Sequence, residues 1–539
     1  MDSTARQDGE QASARRALRV TARARGLVSC IALLSALLAA LAARDESLTW
    51  DEPVFIVSGL SYWQTGEHRL NSEAPPLAQQ LLALPLLFMD LPRPPYESAG
   101  FRAANQVGFA VDYLTANRAR LEAITRWARV PVWLASALCV WLAGRWALLL
   151  FGPWGGVTAA LGVALSPTLM AHGRLATTDY LCSTAMLLAS YLLWRALQSG
   201  RWRHWLWYGA AVALAVMMKF TALLLGPLAV VQVGYGIARQ GRALIPTLLR
   251  AAAALAVFVL VVSASYGRLF DLRPFFDGLS QLYVNTNAGY HSYLLGAVLE
   301  RSVWYYYPVV LLLKTPLPAL LLLAAALVQC ARHPRGAELA VHLLLPAAVM
   351  IGVSCFDSIN VGIRRIMPAL PMLAIFSALV ASSGFARRGM AVAGAALIWM
   401  LVETAIYYPH QLAYINPLAG GPSRAPYLLD DSNIDWGQAL PALARWQARH
   451  APQEKMHLSY FGTMPPEIYG VNATAMTERE YREPPPGLYA LSTHRLVWLR
   501  KIDFFTHAGL DWLTRYQPVD RIGYSIYLYR FPATAAHPP

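Results

Sequence analysis

The sequence predicts an α-helical polytopic membrane protein with a small α/β domain at its C-terminal end. Of its 539 residues, 56% are hydrophobic and 14% are charged, and the mean hydropathy is +0.37. This composition is too apolar for a soluble protein of the same length. Apolar runs about as long as the bilayer is thick recur before residue 409. Cationic residues lie mainly at the ends of these runs, where they act as orientation signals.

About eleven apolar segments are predicted to span the membrane as helices, because a helix satisfies its own backbone in hydrocarbon. They are residues 27–44, 129–147, 152–170, 178–197, 204–219, 221–238, 249–265, 316–331, 338–354, 366–383 and 390–408. The first segment follows several arginines and also has the character of a signal peptide. The acidic pair Asp51–Glu52 behind it favours a helix that is retained.

Arginines orient these segments. If the basic N-terminus, residues 1–26, is cytoplasmic, every predicted inside connection carries or borders on arginine. These residues are Arg145, Arg195, Arg201, Arg203, Arg239, Arg242, Arg250, Arg332, Arg335, Arg387 and Arg388. The membrane domain then covers residues 27–408, with long outer loops at residues 45–128 and 266–315. Because the cations mark helix ends, the net charge of +14 does not indicate nucleic-acid binding.

Residues 409–539 are predicted to form a soluble domain on the outer face. The stretches "KMHLSYFG", "GLYALST" and "YSIYLYRF" have the pattern of strands, and "GQALPALARWQARH" has that of an amphipathic helix. The five cysteines lie in or beside apolar runs and form no CxxC pair, so neither disulfides nor a structural metal site is expected.

Ionisable residues collect at the predicted outside turns. They are Asp51, Glu52, His172, Arg174, Asp179, Lys219, Lys314, Asp357, Arg364 and Arg365. Most have a structural alternative. It is a solvated turn for Asp51 and Glu52, a helix cap for Asp179, a hydrogen-bonded core residue for His172, snorkelling for Lys219 and Lys314, and membrane anchoring for Arg364 and Arg365. Their convergence on one side favours function, since ionisable residues at membrane depth are usually functional.

Cations and carboxylates at an outer membrane surface suit sugar transfer from a polyprenyl phosphate. Arginine and lysine bind phosphate and stabilise it as it leaves. A carboxylate takes the proton of an acceptor hydroxyl or amine and stabilises positive charge at the sugar carbon. Asp51 is the predicted base.

The chain resembles the polyprenyl-phosphate-dependent glycosyltransferases of the GT-C fold. The family includes the dolichyl-phosphate-mannose–protein mannosyltransferases and the lipid A aminoarabinose transferases. The resemblance rests on "TWDEPVFIVSG", "NSEAPPLAQQLLALPLL", "SPTLMAHGRLATTDY", "MMKFTALLL", "WYYYPVVLLLKTPLP", "INVGIRRIMPALPMLAI" and "INPLAGGPSRAPYLLDDSNIDWGQAL". These motifs extend from residue 49 to about residue 440 and are specific only as a set. One departure is Ala74, which stands where relatives usually carry a histidine before the proline pair.

The resemblance implies a GT-C-like fold and roles for particular residues. Asp51 is the implied base with Glu52 as its neighbour, and Asp179 is a second acidic residue. These three form the predicted catalytic set. Lys219, Lys314 and Arg364 are the implied ligands of the donor phosphate, and Arg365, His172 and Arg174 complete the predicted phosphate-binding set. No cofactor is expected, although the pair Asp51 and Asp179 leaves a divalent cation open.

The resemblance also implies partners and a location. The partners are a polyprenyl-phosphate sugar and a protein, lipid or glycan acceptor, with no nucleic acid. The location is the bacterial cytoplasmic membrane, with the site on its outer face.

Alternatives remain at two levels. In "LLDDSNIDWGQAL", Asp430, Asp431, Asp435 and Trp436 are candidates for binding sugar or acceptor, but the favoured interpretation is a helix start capped by Asp435. For the whole chain, the alternative is a transporter or flippase of a lipid-linked sugar. A transporter should show paired broken helices near the midplane, whereas the polar residues here concentrate at the outer surface. A non-catalytic lipid-binding scaffold would leave Asp51 without a role.

Overall fold

The structure, a computed structural model, describes residues 2–287, 291–382, 386–501 and 510–532. Helices dominate the chain up to residue 406. They are α1 (Asp2–Ala42), α2 (Glu52–Thr65), α3 (Pro76–Ala83), α4 (Ala99–Arg102), α5 (Gln106–Ala116), α6 (Leu121–Ala164), α7 (Pro167–His172), α8 (Thr178–Ser199), α9 (Trp202–Met218), α10 (Leu225–Gln240), α11 (Leu244–Ser265), α12 (Arg273–Asn287), α13 (Tyr306–Lys314), α14 (Leu317–Cys330), α15 (Gly336–Leu339), α16 (Leu345–Cys355), α17 (Ala369–Ser377) and α18 (Ala386–Ile406). A short antiparallel hairpin, β1 (Ser292–Leu294) and β2 (Ala297–Leu299), precedes α13.

This helical part has the character of a multi-span membrane protein. Within the described residues, seven helices are long and apolar enough to cross a membrane. They are Leu18–Asp45, Arg118–Ala164, Thr178–Ser199, Phe220–Gln240, Leu244–Ser265, Gly336–Cys355 and Arg387–Tyr407. The pair α13 and α14, bent by 114°, makes an eighth if it is one span. The predicted polytopic helical fold is therefore confirmed.

The number of spans differs from the eleven predicted. The predicted boundary between segments 129–147 and 152–170 is confirmed by a break in α6 at Gly152 (φ +83°), just before Pro153. The helical part after this break is short, because α6 ends at Ala164. Proline cannot donate the next helical hydrogen bond, and glycine reaches this positive φ without strain. Segment 204–219 forms only the 17 residues of α9, and segment 366–383 forms the short apolar helix Ala369–Ala381. Apolar sequence therefore overcounts full-length spans here, because several apolar helices are short.

The C-terminal part is a small α/β domain, as predicted. Its elements are α19 (Leu440–His450), β3 (Met456–Ser459), β4 (Ala473–Ala475), α20 (Glu478–Arg482), β5 (Gly487–Ser492), α21 (Thr493–Lys501), α22 (Trp512–Arg515), β6 (Asp520–Ile522) and β7 (Ile526–Phe531). The strands form one sheet in the order β4-β3-β5-β7-β6, with β3 parallel to both neighbours and the other pairs antiparallel. All three predicted strands and the predicted amphipathic helix are present.

A connecting segment, residues 407–439, joins α18 to α19 and contacts both domains. It has little regular structure beyond short 3-10 turns, including Gln411–Ala413 and Asp431–Asn433. Trp436 and Leu412 from this segment pack with Ala171, Leu175 and Phe461 in a small apolar cluster at the domain junction. The connecting segment is therefore largely buried between the helical part and the C-terminal domain, and it borders the site described below.

Candidate active site

Asp51 lies at the turn that starts α2, and its carboxylate is not used to cap that helix. Only its backbone oxygen accepts a bond from Phe55 N, at 3.2 Å, and the side chain makes no capping hydrogen bond. Asp51 Oδ2 instead accepts a hydrogen bond from Arg364 Nη1 at 2.7 Å. About a quarter of the Asp51 side chain remains exposed. The acidic residue that ends the first span thus contacts a cation 313 positions away.

Arg364 lies on the 3-10 turn Ile363–Ile366, and its guanidinium is shared among several groups. The turn follows Gly362, whose φ of +81° is reached without strain by glycine. Arg364 Nη1 is 2.7 Å from Asp51 and 3.9 Å from Asp179 Oδ2. The guanidinium carbon lies 4.4 Å from the centroid of the Trp436 ring, which is a cation–π contact. Arg364 is therefore held by two carboxylates and an aromatic face.

Asp179 occupies the first turn of α8 and pairs with Lys219. The N-cap of α8 is Thr177, so Asp179 does not cap the helix. A carboxylate in the first turn is stabilised by the positive end of the helix dipole. Asp179 Oδ1 accepts a hydrogen bond from Lys219 Nζ at 2.5 Å. Lys219 lies at the junction between α9 and the 3-10 turn Phe220–Leu224, where the backbone is extended.

We call Asp51, Asp179, Lys219 and Arg364 the charge cluster. The sequence predicted these four residues at four separate outside turns, and the structure brings them into a chain of ion pairs. Two carboxylates and two cations balance in formal charge. Lys219, with 31% of its side chain exposed, and Asp51 are the members most accessible to a ligand.

Glu52 is adjacent to Asp51 but lies outside the charge cluster. It is fully buried and forms a two-point ion pair with Arg129, with nitrogen–oxygen distances of 2.8 and 2.7 Å. Its oxygens also accept hydrogen bonds from the backbone N–H groups of Thr49 and Ala176. Burial raises the pKa of Glu52, but Arg129 and these hydrogen bonds outweigh burial, and the pKa is lowered overall. Glu52 is thus a buried, saturated anion.

The other predicted phosphate ligands are engaged elsewhere. Lys314 is buried and donates to two backbone oxygens of the connecting segment, Leu412 O at 2.6 Å and Asn433 O at 2.5 Å. Arg365 forms an ion pair with Asp357. Neither residue forms an ion pair with the charge cluster within the described part of the chain. In this structure, Lys314 fastens the connecting segment to the helical part.

His172 and Arg174 lie near the cluster without belonging to it. His172 is buried with its ring edge-on to Trp436, the ring centroids being 5.8 Å apart. Burial lowers the pKa of His172 to about 3, so the ring is neutral at pH 7 and cannot offer a cation to phosphate. Arg174 forms a 2.6 Å ion pair with Glu46 and donates to Gln411 Oε1.

The segment around Asp435 corrects one prediction. Helix α19 begins at Leu440 with Ala439 as its N-cap, so Asp435 does not cap it. Asp435 Oδ1 accepts from Gly437 N instead, at 3.1 Å, which is a local turn. Pro441 takes the second position of α19, and proline favours the first turn of a helix, so the helix starts later than the acidic residue suggests. Asp430 accepts a hydrogen bond from Trp498 and lies 3.0 Å from His494.

Sequence reasoning missed Arg129 and the specific contact of Trp436. Arg129 is at the start of an apolar segment, where an arginine normally indicates only a span end. Arg129 differs from an ordinary span-end arginine because it is buried inside the protein, and a local sequence pattern does not reveal burial. Trp436 was considered only as a ligand contact, whereas its ring supports Arg364 from the connecting segment.

The electrostatics of Asp51 suit a proton acceptor. Burial raises its pKa, and the negative charges of Asp179 and Asp431 raise it further, while Arg364 lowers it. Overall the pKa of Asp51 is raised from its ordinary value. A carboxylate with a raised pKa is a stronger base, which is the property required for accepting a proton in the transition state.

No metal site accompanies these carboxylates in the described residues. Within residues 2–287, 291–382, 386–501 and 510–532, no group of three or more His, Cys, Asp or Glu side chains is arranged to hold a metal ion. The charge cluster pairs its carboxylates with cations instead. No chemical step is assigned to a metal. The expectation that no cofactor is needed, with a divalent cation left open at Asp51 and Asp179, stays a prediction.

The chain is similar to known sugar transferases. Residues 108–266 match the family model described as dolichyl-phosphate-mannose-protein mannosyltransferase. This region contains Arg129, Asp179 and Lys219, while Asp51 and Arg364 lie outside it. No curated protein sequence matches the chain.

Similar solved structures share little sequence with the chain. ArnT from Cupriavidus metallidurans in the apo state is 13% identical with a TM-score of 0.48, and ArnT bound to undecaprenyl phosphate is 13% identical with a TM-score of 0.45. In both cases the match covers 95% of this chain and 99% of the other. Arabinosyltransferase EmbB from Mycobacterium smegmatis is 14% identical over 65% of this chain and 30% of its own, with a TM-score of 0.41. The resemblance predicted from the motifs is confirmed by the family match over residues 108–266.

Proposed function

We propose that the protein is a membrane glycosyltransferase that moves a sugar from a polyprenyl-phosphate donor to an acceptor at the outer face of the bacterial cytoplasmic membrane. The observation that carries this proposal is the pairing of Asp51 and Asp179 with Arg364 and Lys219. In this proposal, Asp51 is the proton acceptor and Arg364 and Lys219 are the phosphate ligands, and all three lie in one partly accessible cluster. The family match over residues 108–266 supports sugar transfer over lipid translocation.

Donor binding rearranges the ion pairs in this proposal. The donor phosphate competes with Asp51 for Arg364, which can bind phosphate through two parallel hydrogen bonds. Lys219 adds a point charge to the phosphate, and Asp179 keeps both cations nearby. Asp51 then loses its cation partner, which leaves its carboxylate free to accept a proton.

In the transfer step, the acceptor replaces the polyprenyl phosphate at the anomeric carbon of the sugar. The acceptor hydroxyl gives its proton to the carboxylate of Asp51, and its oxygen forms a bond to the anomeric carbon of the sugar. The bond from that carbon to the phosphate oxygen breaks, and the polyprenyl phosphate leaves with the electron pair. Arg364 and Lys219 stabilise the developing negative charge on the leaving phosphate. The products are the glycosylated acceptor and free polyprenyl phosphate.

The test replaces Asp51 by asparagine in the purified full-length protein. Asp51→Asn keeps the size of the side chain but cannot accept the proton, so we expect transfer to fall by about 10²–10⁴-fold. Donor binding should be largely retained, because the cations hold the phosphate. Transfer is measured with a panel of polyprenyl-phosphate sugars, and donor binding is measured separately.

The matched control is Asp90→Asn in the same outer loop, since the Asp90 side chain is fully exposed and pairs only weakly with Arg120, at 3.6 Å. We expect this variant to keep parental transfer. A folded Asp51→Asn protein that binds donor and transfers sugar at the parental rate would contradict the proposed role of Asp51. Donor movement across vesicles without any transfer by the parent protein would favour a flippase instead.

A further inference from the structure

A second cleft lies away from the charge cluster, where the first and last predicted spans end. We call it the basic cleft. It has a volume of about 350 Å³, within the range of ligand pockets. Its floor includes Asp45 and Glu46 behind α1 and Pro409 and His410 behind α18, and α19 and the β6–β7 turn of the outer domain cover it.

The basic cleft is separated from Asp51 by paired backbone. Ser47 N donates to Gln438 O at 3.1 Å, and Trp50 N donates to Trp436 O at 3.0 Å. The segment after α1 and the connecting segment therefore form a wall between the two sites. A ligand in the basic cleft would lie behind this wall, so the cleft is a separate site.

Four arginines give the basic cleft an excess of positive charge. Arg174 pairs with Glu46 at 2.6 Å, and Arg445 pairs with Asp45 at 2.8 Å. Arg449 and Arg521 also line the cleft, and neither forms an ion pair within the described residues. Asp520, which accepts a hydrogen bond from Trp446 at 2.6 Å, lies near Arg521, and the Arg521 guanidinium lies over the Tyr527 ring at 5.6 Å. Four arginines against three carboxylates leave one net positive charge, with Arg449 as its clearest source. The cleft thus suits an anion.

Buried polar atoms at the floor point to a ligand that carries hydroxyl groups as well. Arg174 is 2% exposed, and its Nε has no hydrogen-bond partner among the described residues. Glu46 Oε2 and Gln411 Nε2 are buried close by, and they also lack partners in the described part of the chain. Unsatisfied buried polar groups are costly, so they usually contact a ligand or water. A hydroxyl group can donate to Glu46 Oε2 and accept from Arg174 Nε.

The position of the basic cleft favours a lipid over a free anion. It opens where two predicted spans leave the bilayer, so its contents lie at headgroup depth. The span ends beside it expose apolar side chains, including Leu37, Leu41 and Ile406, which can contact acyl chains. Basic pockets between membrane helices bind anionic lipid headgroups on the cytoplasmic side, and the attraction of arginine for a lipid phosphate is the same at an outer cleft.

We propose that the basic cleft binds the headgroup of an anionic glycerophospholipid of the outer leaflet. The lipid phosphate contacts Arg449 and Arg521, and the headgroup hydroxyls bridge Glu46 and Arg174. Bound there, the lipid joins the ends of α1 and α18 to the outer domain. This site goes beyond the proposed sugar transfer and does not depend on it.

The test measures lipid binding by the purified full-length protein, using native mass spectrometry and thermal unfolding. The probes are phosphatidylglycerol and phosphatidylcholine with the same acyl chains, and soluble glycerol phosphate. We expect phosphatidylglycerol alone to stay bound and to raise the Tm, because a ligand that binds only the folded state stabilises it. Phosphatidylcholine carries no net charge, so it should not displace phosphatidylglycerol from the basic cleft.

Single arginine variants test whether phosphatidylglycerol binds in the basic cleft. Arg449→Gln is expected to weaken phosphatidylglycerol binding about five-fold, since each basic residue near an anionic lipid contributes about 1 kcal/mol. The matched control is Arg479→Gln, an exposed arginine on α20 that does not line the cleft. A second variant, Arg521→Gln, should give a loss similar to that of Arg449→Gln.

Three outcomes would overturn the proposal. Equal binding of phosphatidylglycerol and phosphatidylcholine would show that charge does not select the lipid. Equal stabilisation by soluble glycerol phosphate would identify a free-anion site. Equal losses in Arg449→Gln and Arg479→Gln would place binding outside the basic cleft. Sugar transfer is not a readout in any arm, so these outcomes leave the proposed function untouched.

Discussion

Asp51 and Glu52 are neighbours in sequence, but their carboxylates have opposite surroundings. Glu52 is fully buried and accepts hydrogen bonds from Arg129 and from two backbone N–H groups. Asp51 keeps a quarter of its side chain exposed and has one close cation, Arg364. The pKa of Glu52 is lowered, whereas that of Asp51 is raised. Only Asp51 therefore combines access with basicity, although the pair looks equivalent in the sequence.

The raised pKa of Asp51 leads to a prediction on pH dependence. Burial is the largest cause of the raised pKa of Asp51, and the negative charge of Asp431 is a smaller cause. A base acts only when deprotonated, so kcat/KM should fall as the pH drops through the pKa of Asp51. Asp431→Asn removes a negative charge that raises this pKa, so the acid limb of kcat/KM should move to lower pH. Asparagine also tolerates the positive φ of 59° at this position.

The measurement is the pH profile of kcat/KM, which reports groups of the free enzyme. Glu483→Gln, which removes a carboxylate at the end of α20 in the outer domain, is the control and should leave the acid limb in place. A profile of Asp431→Asn that matches the parent would show that Asp431 does not influence the base. A shift to higher pH would contradict the sign of the interaction.

At the scale of elements, the chain shows what local sequence can predict. The apolar runs, the outer strands β3, β5 and β7, and helix α19 follow from hydropathy and periodicity, so they were predictable. The number of full-length spans was not, because the short lengths of helices α9 and α17 depend on packing, whereas the break at Gly152 and Pro153 follows from local sequence. The sequence also predicted Asp51 and Arg364 on the same side of the membrane, but it could not predict that these two residues, 313 positions apart, form an ion pair.

The ion pair of Glu52 with Arg129 joins three elements. Glu52 starts α2, Arg129 lies on α6, and Ala176 N, just before α8, donates to the same carboxylate at 2.6 Å. Arg129 also donates to Ala43 O and Ser47 O behind α1. This single pair therefore fixes the turn that carries Asp51. The sequence predicted Glu52 as a candidate catalytic residue beside Asp51, and it could not assign this structural role, because a local pattern does not reveal burial.

We predict that Glu52→Gln strongly lowers the free energy of unfolding and has a smaller effect on the transfer rate per folded molecule. Removing one partner of a buried ion pair leaves an uncompensated charge on Arg129, which costs about 3–5 kcal/mol. The measurement compares the unfolding temperature and the transfer rate per folded molecule with those of Asp51→Asn. We expect Glu52→Gln to lose folded protein, and Asp51→Asn to lose turnover. If Glu52→Gln had parental stability and severely reduced turnover, Glu52 would have a direct catalytic role.

At the scale of the whole molecule, the connecting segment and the membrane helices share one site. The connecting segment brings Trp436 against Arg364, and Lys314 on α13 donates to Leu412 O and Asn433 O of the same segment. Asn433 Oδ1 in turn accepts a bond from Ile363 N, beside Arg364, at 3.0 Å. The connecting segment, which leads into the C-terminal domain, is thus fastened to the turn that carries the proposed phosphate ligand. The C-terminal domain can therefore influence the geometry of the charge cluster through the connecting segment.

This coupling predicts that Trp436 positions Arg364 for the donor phosphate. Trp436→Leu removes the aromatic face under the guanidinium, and a cation–π contact is worth about 0.5–2 kcal/mol. Donor KM should therefore rise by roughly 2- to 30-fold, while kcat changes less, because the base Asp51 is not altered. Trp436→Phe keeps an aromatic face in the same place and should restore most of the donor affinity. A merely structural role would instead lower the amount of folded protein in both variants with no selective change in KM. Steady-state kinetics over a donor series, normalised to folded protein, separates these results, and equal KM values for Trp436→Leu and Trp436→Phe would refute the positioning role.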